Sequence, residues 1–288
     1  MVCGSKQHIV SNLIKMKFSI LSRSILALAL TCGHAHAYNQ IVTNGIAGFV
    51  DTPLLPGTQW HVNDPTRPQP TVVMPGTNFS ENAPPPSDAT VLFDGNDLSQ
   101  WRDQKTGGDP FWKVQDGVVI SAKGNIVTTN QFGDIQLHLE FREPTPPKGS
   151  GQGRGNSGVI FMGHYEIQVL DCYNNPTYPD GAVGAIYSQH PPLANACRLP
   201  GEWETYDILF TVPRFDNNGK LAAPGYATVI LNGIVVQNHQ TILGDTNAHA
   251  PGKFSSTNPT GPLVLQFHHN AVAFRNIWVR SIPAADEP

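Results

Sequence analysis

Beyond Ala89 the chain is a series of short β-branched and aromatic runs separated by Gly, Asn, Asp and Pro. They are Thr90 to Phe93, Val118 to Ser121, Ile135 to Phe141, Val159 to Phe161, Tyr165 to Leu170 and Ala185 to Tyr187. The series continues with Trp203 to Phe210, Ala227 to Leu231, Ile234 to His239, Leu263 to His268 and Val272 to Val279. Runs of this length, repeated at this spacing, predict an all-β sandwich or barrel. Asn232-Gly233 stands alone between two of the runs. A two-residue Asn-Gly loop takes positive φ at both positions, so it predicts a tight antiparallel hairpin. With 27 Gly and 25 Pro among 288 residues, backbone punctuators are about 18% of the chain, against about 12% in an ordinary domain. A helix bundle is excluded, and only Leu98 to Trp101 hints at a helical turn.

Charge narrows the partners. The formal net charge is −4, and no basic run exceeds two residues, so the electrostatic footprint of a nucleic-acid binder is absent. Lys15 and Lys17 precede an apolar run from Ile20 to Leu30, which Ser22, Arg23 and Ser24 interrupt; Ala35-His36-Ala37 follows with a small-x-small pattern. Residues 1–37 therefore read as a signal peptide. The alternative is a membrane anchor, but the uninterrupted part, Ile25 to Leu30, is far short of the roughly 20 apolar residues that a span requires. Met16-Lys17 would also open a well-formed signal. Thr31 before Cys32 fits a lipoprotein signal poorly. Cleavage after Ala37 leaves 14 basic against 22 acidic side chains, a net charge of −8, on a protein expected in the periplasm or outside the cell.

Two cysteines then remain, Cys172 and Cys197. In an oxidising compartment they are expected to form a disulfide closing a loop of about 25 residues, worth roughly 3 kcal/mol in the chain-entropy model; two free thiols are the alternative. They are too few for a zinc site. Residues 38–88 are rich in proline, up to the run Pro84-Pro85-Pro86, and show no sustained period, so they read as an extended arm that Trp60, Val62, Val72 and Val73 could lay on the domain surface. The domain proper is expected over 89–284, with a tail at 285–288.

Within it, polar and apolar residues alternate along Tyr165-Glu166-Ile167-Gln168-Val169. Glu166 and Gln168 thus share one face of a strand, and a β-bulge after Val169 would return Asp171 to the same side. Gln266 and His268 repeat the pattern in Val264-Leu265-Gln266-Phe267-His268; an imidazole suits proton transfer near neutrality, and His269 falls on the opposite parity. Arg275 alternates with Phe274, and its fork of donors would suit sugar oxygens or a carboxylate. The Gly-rich stretch from Gly149 to Gly158 is not a phosphate loop, since no Lys follows and no helix N-terminus is at hand. Asp216-Asn217-Asn218-Gly219 has calcium-loop composition without calcium-loop spacing and reads as a hairpin turn. No cofactor is expected, and a surface calcium ion stays open.

These segments resemble the 3-keto-disaccharide hydrolase domain family over residues 89–284. The residues that carry the resemblance are Leu92-Phe93-Asp94-Gly95 with Leu98 and Trp101, Asn156-Ser157-Gly158, Tyr165 to Asp171, and Gly184-Ala185-Ile186-Tyr187. Gly201-Glu202-Trp203, Leu265-Gln266 with His268, and Phe274 to Ile277 complete them. The resemblance implies a two-sheet antiparallel jelly-roll sandwich of the concanavalin A-like lectin and glucanase type, with sugar bound across one sheet face. It also implies a hydrolase acting on glycosides already oxidised at C3, with a carbohydrate as its partner. Glu166, Asp171 and His268 are the expected catalytic residues; Asn156, Gln168, Tyr187, Trp203, Gln266 and Arg275 are the expected sugar contacts. Laminarinase-like glucanases of the same fold carry Glu-x-Asp-x-x-Glu, where this chain has Glu166-x-Gln168-x-x-Asp171. A shorter acid and a missing one disturb the roughly 5.5 Å carboxylate spacing of a retaining mechanism. Two alternatives stand beside the hydrolase: a lectin-like module binding sugar on aromatic platforms such as Trp203 and Tyr187, and that retaining glucanase.

Overall fold

A computed structural model describes residues 37–77 and 79–283; the expected leader, apart from Ala37, and the C-terminal tail lie outside the described residues. Two antiparallel sheets face each other. One has five strands in the spatial order Tyr165–Val169, Ser157–Phe161, Val264–Leu265, Ile126–Thr128 and Trp101–Asp103. The other runs Ile234–Thr241, Tyr226–Leu231, Glu204–Thr211, Ile135–Arg142, Ala273–Ser281, Val118–Ile120 and Lys113–Gln115, with Thr90–Phe93 also paired to the Ala273–Ser281 strand. The Asn232-Gly233 hairpin forms as its sequence predicts: Leu231 pairs with Ile234, and φ is 51° and 81° at the two loop positions.

Period-2 alternation puts one side of every strand into the layer between the sheets. Phe161 of the five-stranded sheet stacks on Phe210 of the other with ring centroids 4.5 Å apart, and Phe141 packs against Tyr206 at 4.8 Å. All four are fully buried, as are Trp101, Phe93 and Phe274. The Tyr206 hydroxyl crosses the layer to donate 2.6 Å to the carbonyl of Gln168. A buried bond of this kind contributes about 1 kcal/mol, and here it ties the edge strand Tyr165–Val169 to the opposite sheet.

The proline-rich segment is held at several points. Gln40–Thr43 and Ile46–Phe49 form a hairpin around Asn44-Gly45, whose φ angles are 51° and 80°. Thr71–Val72 pairs in parallel with Ala194–Asn195. Further on, the backbone N–H of Asn82 donates 2.6 Å to Glu140, and Ser80 donates 2.7 Å to Asp207. These bonds fasten residues 80–82 to the outer face of the eight-stranded sheet. Asp216 caps its own turn, its carboxylate accepting from the backbone of Asn218 and Lys220.

Candidate functional site

The outward face of the five-stranded sheet carries a cavity of about 660 Å³. Its floor comes from three neighbouring segments. Gly158 pairs with Gln168 on one side, and on the other its carbonyl accepts the backbone N–H of Gln266 at 3.0 Å; the Ser157 hydroxyl adds a 2.6 Å bond to the Gln266 carbonyl. Gln168 and Gln266 thus stand two strand spacings apart, about 10 Å, with a glycine between them. The glycine is required: a Cβ at Gly158 would collide with Glu166 Oε1. The Glu166 carboxyl therefore lies over a glycine, and His268 faces the same cavity from two residues beyond Gln266.

The walls come from loops. Ser150, Gln152 and Asn156 line one side, Thr177, Tyr178 and Tyr187 another, and Thr246 and His249 a third. Gln152 organises its neighbours: its Nε2 donates to Thr177 at 2.9 Å and to the Gly181 carbonyl at 2.8 Å, while its Oε1 accepts from Gln168 at 2.9 Å. The hydroxyls of Tyr178 and Tyr187 are 2.6 Å apart. Phe49 and Ala47 of the N-terminal hairpin close the remaining wall.

Burial sets the electrostatics. Glu166 is 5% exposed, and desolvation pushes its carboxyl up from the ordinary 4.5 to about 8, because taking a carboxylate out of water penalises the charged form. It is held as a neutral acid at pH 7. Burial likewise raises Tyr187 to about 12 and pushes Tyr178 well above its usual value, so both remain phenols. Gln168 Oε1 is buried with no partner, an acceptor left over in the floor. Among the described residues no group of three or more His, Cys, Asp and Glu side chains is arranged to hold a metal.

The 3-keto-alpha-glucoside-1,2-lyase-like domain matches residues 88–280, two thirds of the sequence. The chain belongs to that family. Among solved structures, a candidate glycosyl hydrolase from Parabacteroides distasonis ATCC 8503 is 48% identical, with a TM-score of 0.68 over 75% of this chain and 93% of its own. A second from the same organism is 24% identical, with a TM-score of 0.49 over 67% of this chain and 99% of its own. No curated protein matches. The jelly-roll sandwich of the concanavalin A-like type expected for this family is the fold observed.

The 3-keto-glucoside family motifs are only partly brought together. Glu166, Gln168, His268, Gln266, Asn156 and Tyr187 share the cavity. Asp171 does not: the strand ends at Val169, Leu170 turns into the core, and no bulge returns Asp171 to the Glu166 face. Its carboxylate is instead clasped by Arg154 at 2.7 and 3.0 Å, in an adjoining depression that it lines with His268. Arg275 is on the other sheet, and Trp203 immediately precedes that sheet's Glu204–Thr211 strand. Arg275 is paired with Glu140 at 2.6 Å and Glu81 at 3.0 Å and lies 4.1 Å from the centroid of the Trp203 ring, which also meets Arg142. Alternation tells which side of its own sheet a residue takes, and nothing about which sheet.

The expected disulfide is absent as well, and Cys172 and Cys197 are free, buried thiols. Each sulfur has another partner. Cys197 Sγ donates 3.2 Å to Glu204 and accepts the backbone N–H of Cys172, while Cys172 Sγ accepts the backbone N–H of Val183. Gln152, Tyr178 and Thr246 were not predicted. Gln152 sits in the Gly-rich stretch that matched no phosphate loop, and its signal was a long amide among glycines, where only a contact could give it a purpose.

Proposed function

We propose that the protein cleaves glycosides already oxidised to the ketone at C3, by loss of the C1 substituent with the proton on C2. The carbonyl acidifies that proton. A base removes it, the electron pair forms the C1=C2 bond, and the C1–O bond breaks as the leaving oxygen takes a proton from an acid. The products are an unsaturated keto sugar and an alcohol; water adding back across C1=C2 would complete a net hydrolysis. His268 is the base and Glu166 the acid. The observation that carries this reading is a carboxyl kept neutral at pH 7 in the same cavity as a histidine, a cavity sized for a small ligand. Gln168, Gln266, Asn156 and the Tyr178–Tyr187 pair supply fixed dipoles for sugar hydroxyls and for the enolate oxygen.

The family's own description, a 1,2-lyase acting on 3-keto-alpha-glucosides, supports the same chemistry. A retaining glucanase needs two carboxyl groups at the reacting carbon, and Asp171 is committed to Arg154. We further propose that the chain is exported after removal of residues 1–37. The test is to incubate the mature protein with 3-keto and unoxidised forms of one disaccharide. Cleavage of the keto form alone is expected. Equal cleavage of both would refute the mechanism, and binding without cleavage would make the protein a sugar-binding module.

A further inference from the structure

The N-terminal hairpin contributes Gln40, Gly45, Ala47 and Phe49 to the cavity lining, yet it precedes the family match by about forty residues. It is a built wall. The backbone N–H of Phe49 donates 2.9 Å to the carbonyl of Asn63, and a Cβ at Gly48 would meet that carbonyl and Pro65. Asn63 is itself buried: its N–H donates 2.9 Å to Asp180, its Oδ1 accepts from Ser188 at 3.0 Å, and its Nδ2 reaches the carbonyl of Ala248. The hairpin is thus joined, through one asparagine, to the two loops that carry Tyr187 and His249. Phe49 meets the His249 ring edge-on at 4.7 Å, while Ala47 is exposed into the cavity.

We propose that this hairpin is a specificity element that walls one side of the cavity, restricting the enzyme to disaccharides and small glycosides and shutting out internal bonds of polysaccharides. This rests on the cavity being a glycoside site. A chain-cleaving enzyme needs a cleft through which polymer passes; here Phe49 and Ala47, on a hairpin pinned through Asn63, form one wall of the cavity. A cavity of about 660 Å³ lies within the roughly 300–1,000 Å³ typical of small-ligand sites. The Phe49 ring offers the apolar face on which a pyranose C–H face packs.

Two substitutions in the mature chain test the wall from opposite directions. Ala47→Trp adds bulk at an exposed strand position, and Phe49→Ala removes the ring. Calorimetric titration with the unoxidised disaccharide reads binding apart from chemistry. Ala47→Trp is expected to abolish measurable binding, and Phe49→Ala to weaken it roughly tenfold, the scale of one aromatic contact. On the 3-keto disaccharide, Phe49→Ala should raise KM by a similar factor and leave kcat within about twofold, a split that loss of fold would not produce. Unchanged affinity in both variants, no binding by the parent protein, or cleavage of internal linkages of an oxidised polymer as fast as of the disaccharide would overturn the proposal. Wall effects on binding without turnover of any keto sugar would refute the reaction and leave the wall standing; turnover indifferent to the wall would do the reverse.

Discussion

Replacing Glu166 by Gln separates the role of its proton from the role of its shape. The carboxyl is moved from an ordinary 4.5 to about 8 by burial alone. At about 1.4 kcal/mol for each tenfold change in proton affinity, holding the charged form costs the folded state up to about 5 kcal/mol. The sign follows from proton counting. Between pH 4.5 and 8 the folded protein keeps a proton that the unfolded chain has released, so stability falls as pH rises through that window and levels above it. Glutamine is neutral at every pH and nearly isosteric. Urea denaturation at a series of pH values should therefore find the two proteins close in stability at pH 4 and Glu166→Gln several kcal/mol more stable at pH 9. Asp180, buried and raised from 3.8 to about 6, adds the same slope over a lower range, but it is common to both proteins and cancels in the difference. Activity should move the other way. The variant is expected to lose about 10²- to 10⁴-fold on the 3-keto disaccharide, and the parent's kcat/KM should decline above about pH 8 as the acid ionises. A stability difference independent of pH would refute the desolvated acid, and a near-parental rate would remove Glu166 from the chemistry.

Gly158→Ala places a methyl group where Glu166 Oε1 now lies; it should cut turnover at least tenfold by displacing the acid, read from kcat on the keto sugar beside a melting curve. Cys172 and Cys197, free and buried, should resist alkylation in the native protein and both react in urea without reductant, as intact-mass measurement would record. Asp171→Asn should lower stability by leaving the Arg154 guanidinium without its carboxylate, by about 3 kcal/mol for a buried pair, with KM for the disaccharide little changed; a large KM effect would return Asp171 to the sugar site. N-terminal sequencing of the exported protein should begin at Tyr38.

Much of this site was legible in one dimension because strand geometry is local. Alternation alone sets Glu166 and Gln168 on one face with Ile167 and Val169 in the core, and Asn-Gly alone shapes the hairpin at Asn232-Gly233. The same dipeptide at Asn44-Gly45, flanked by Ile41, Val42 and Ile46, carried an equal signal for the N-terminal hairpin, which the surrounding prolines obscured. Three things were not legible. The bringing of Glu166 and His268 into one cavity depends on pairing between strands about a hundred residues apart. The removal of Arg275 to the other sheet, with Trp203 against it, depends on which strands pair, and Asp171 is lost to the cavity because Arg154 competes for its carboxylate. By itself the sequence determined the sheet class, the face parity of each strand and the family; tertiary structure decided which faces meet, because a strand's periodicity repeats every two residues whereas its neighbours are chosen by contacts that the whole chain must make at once.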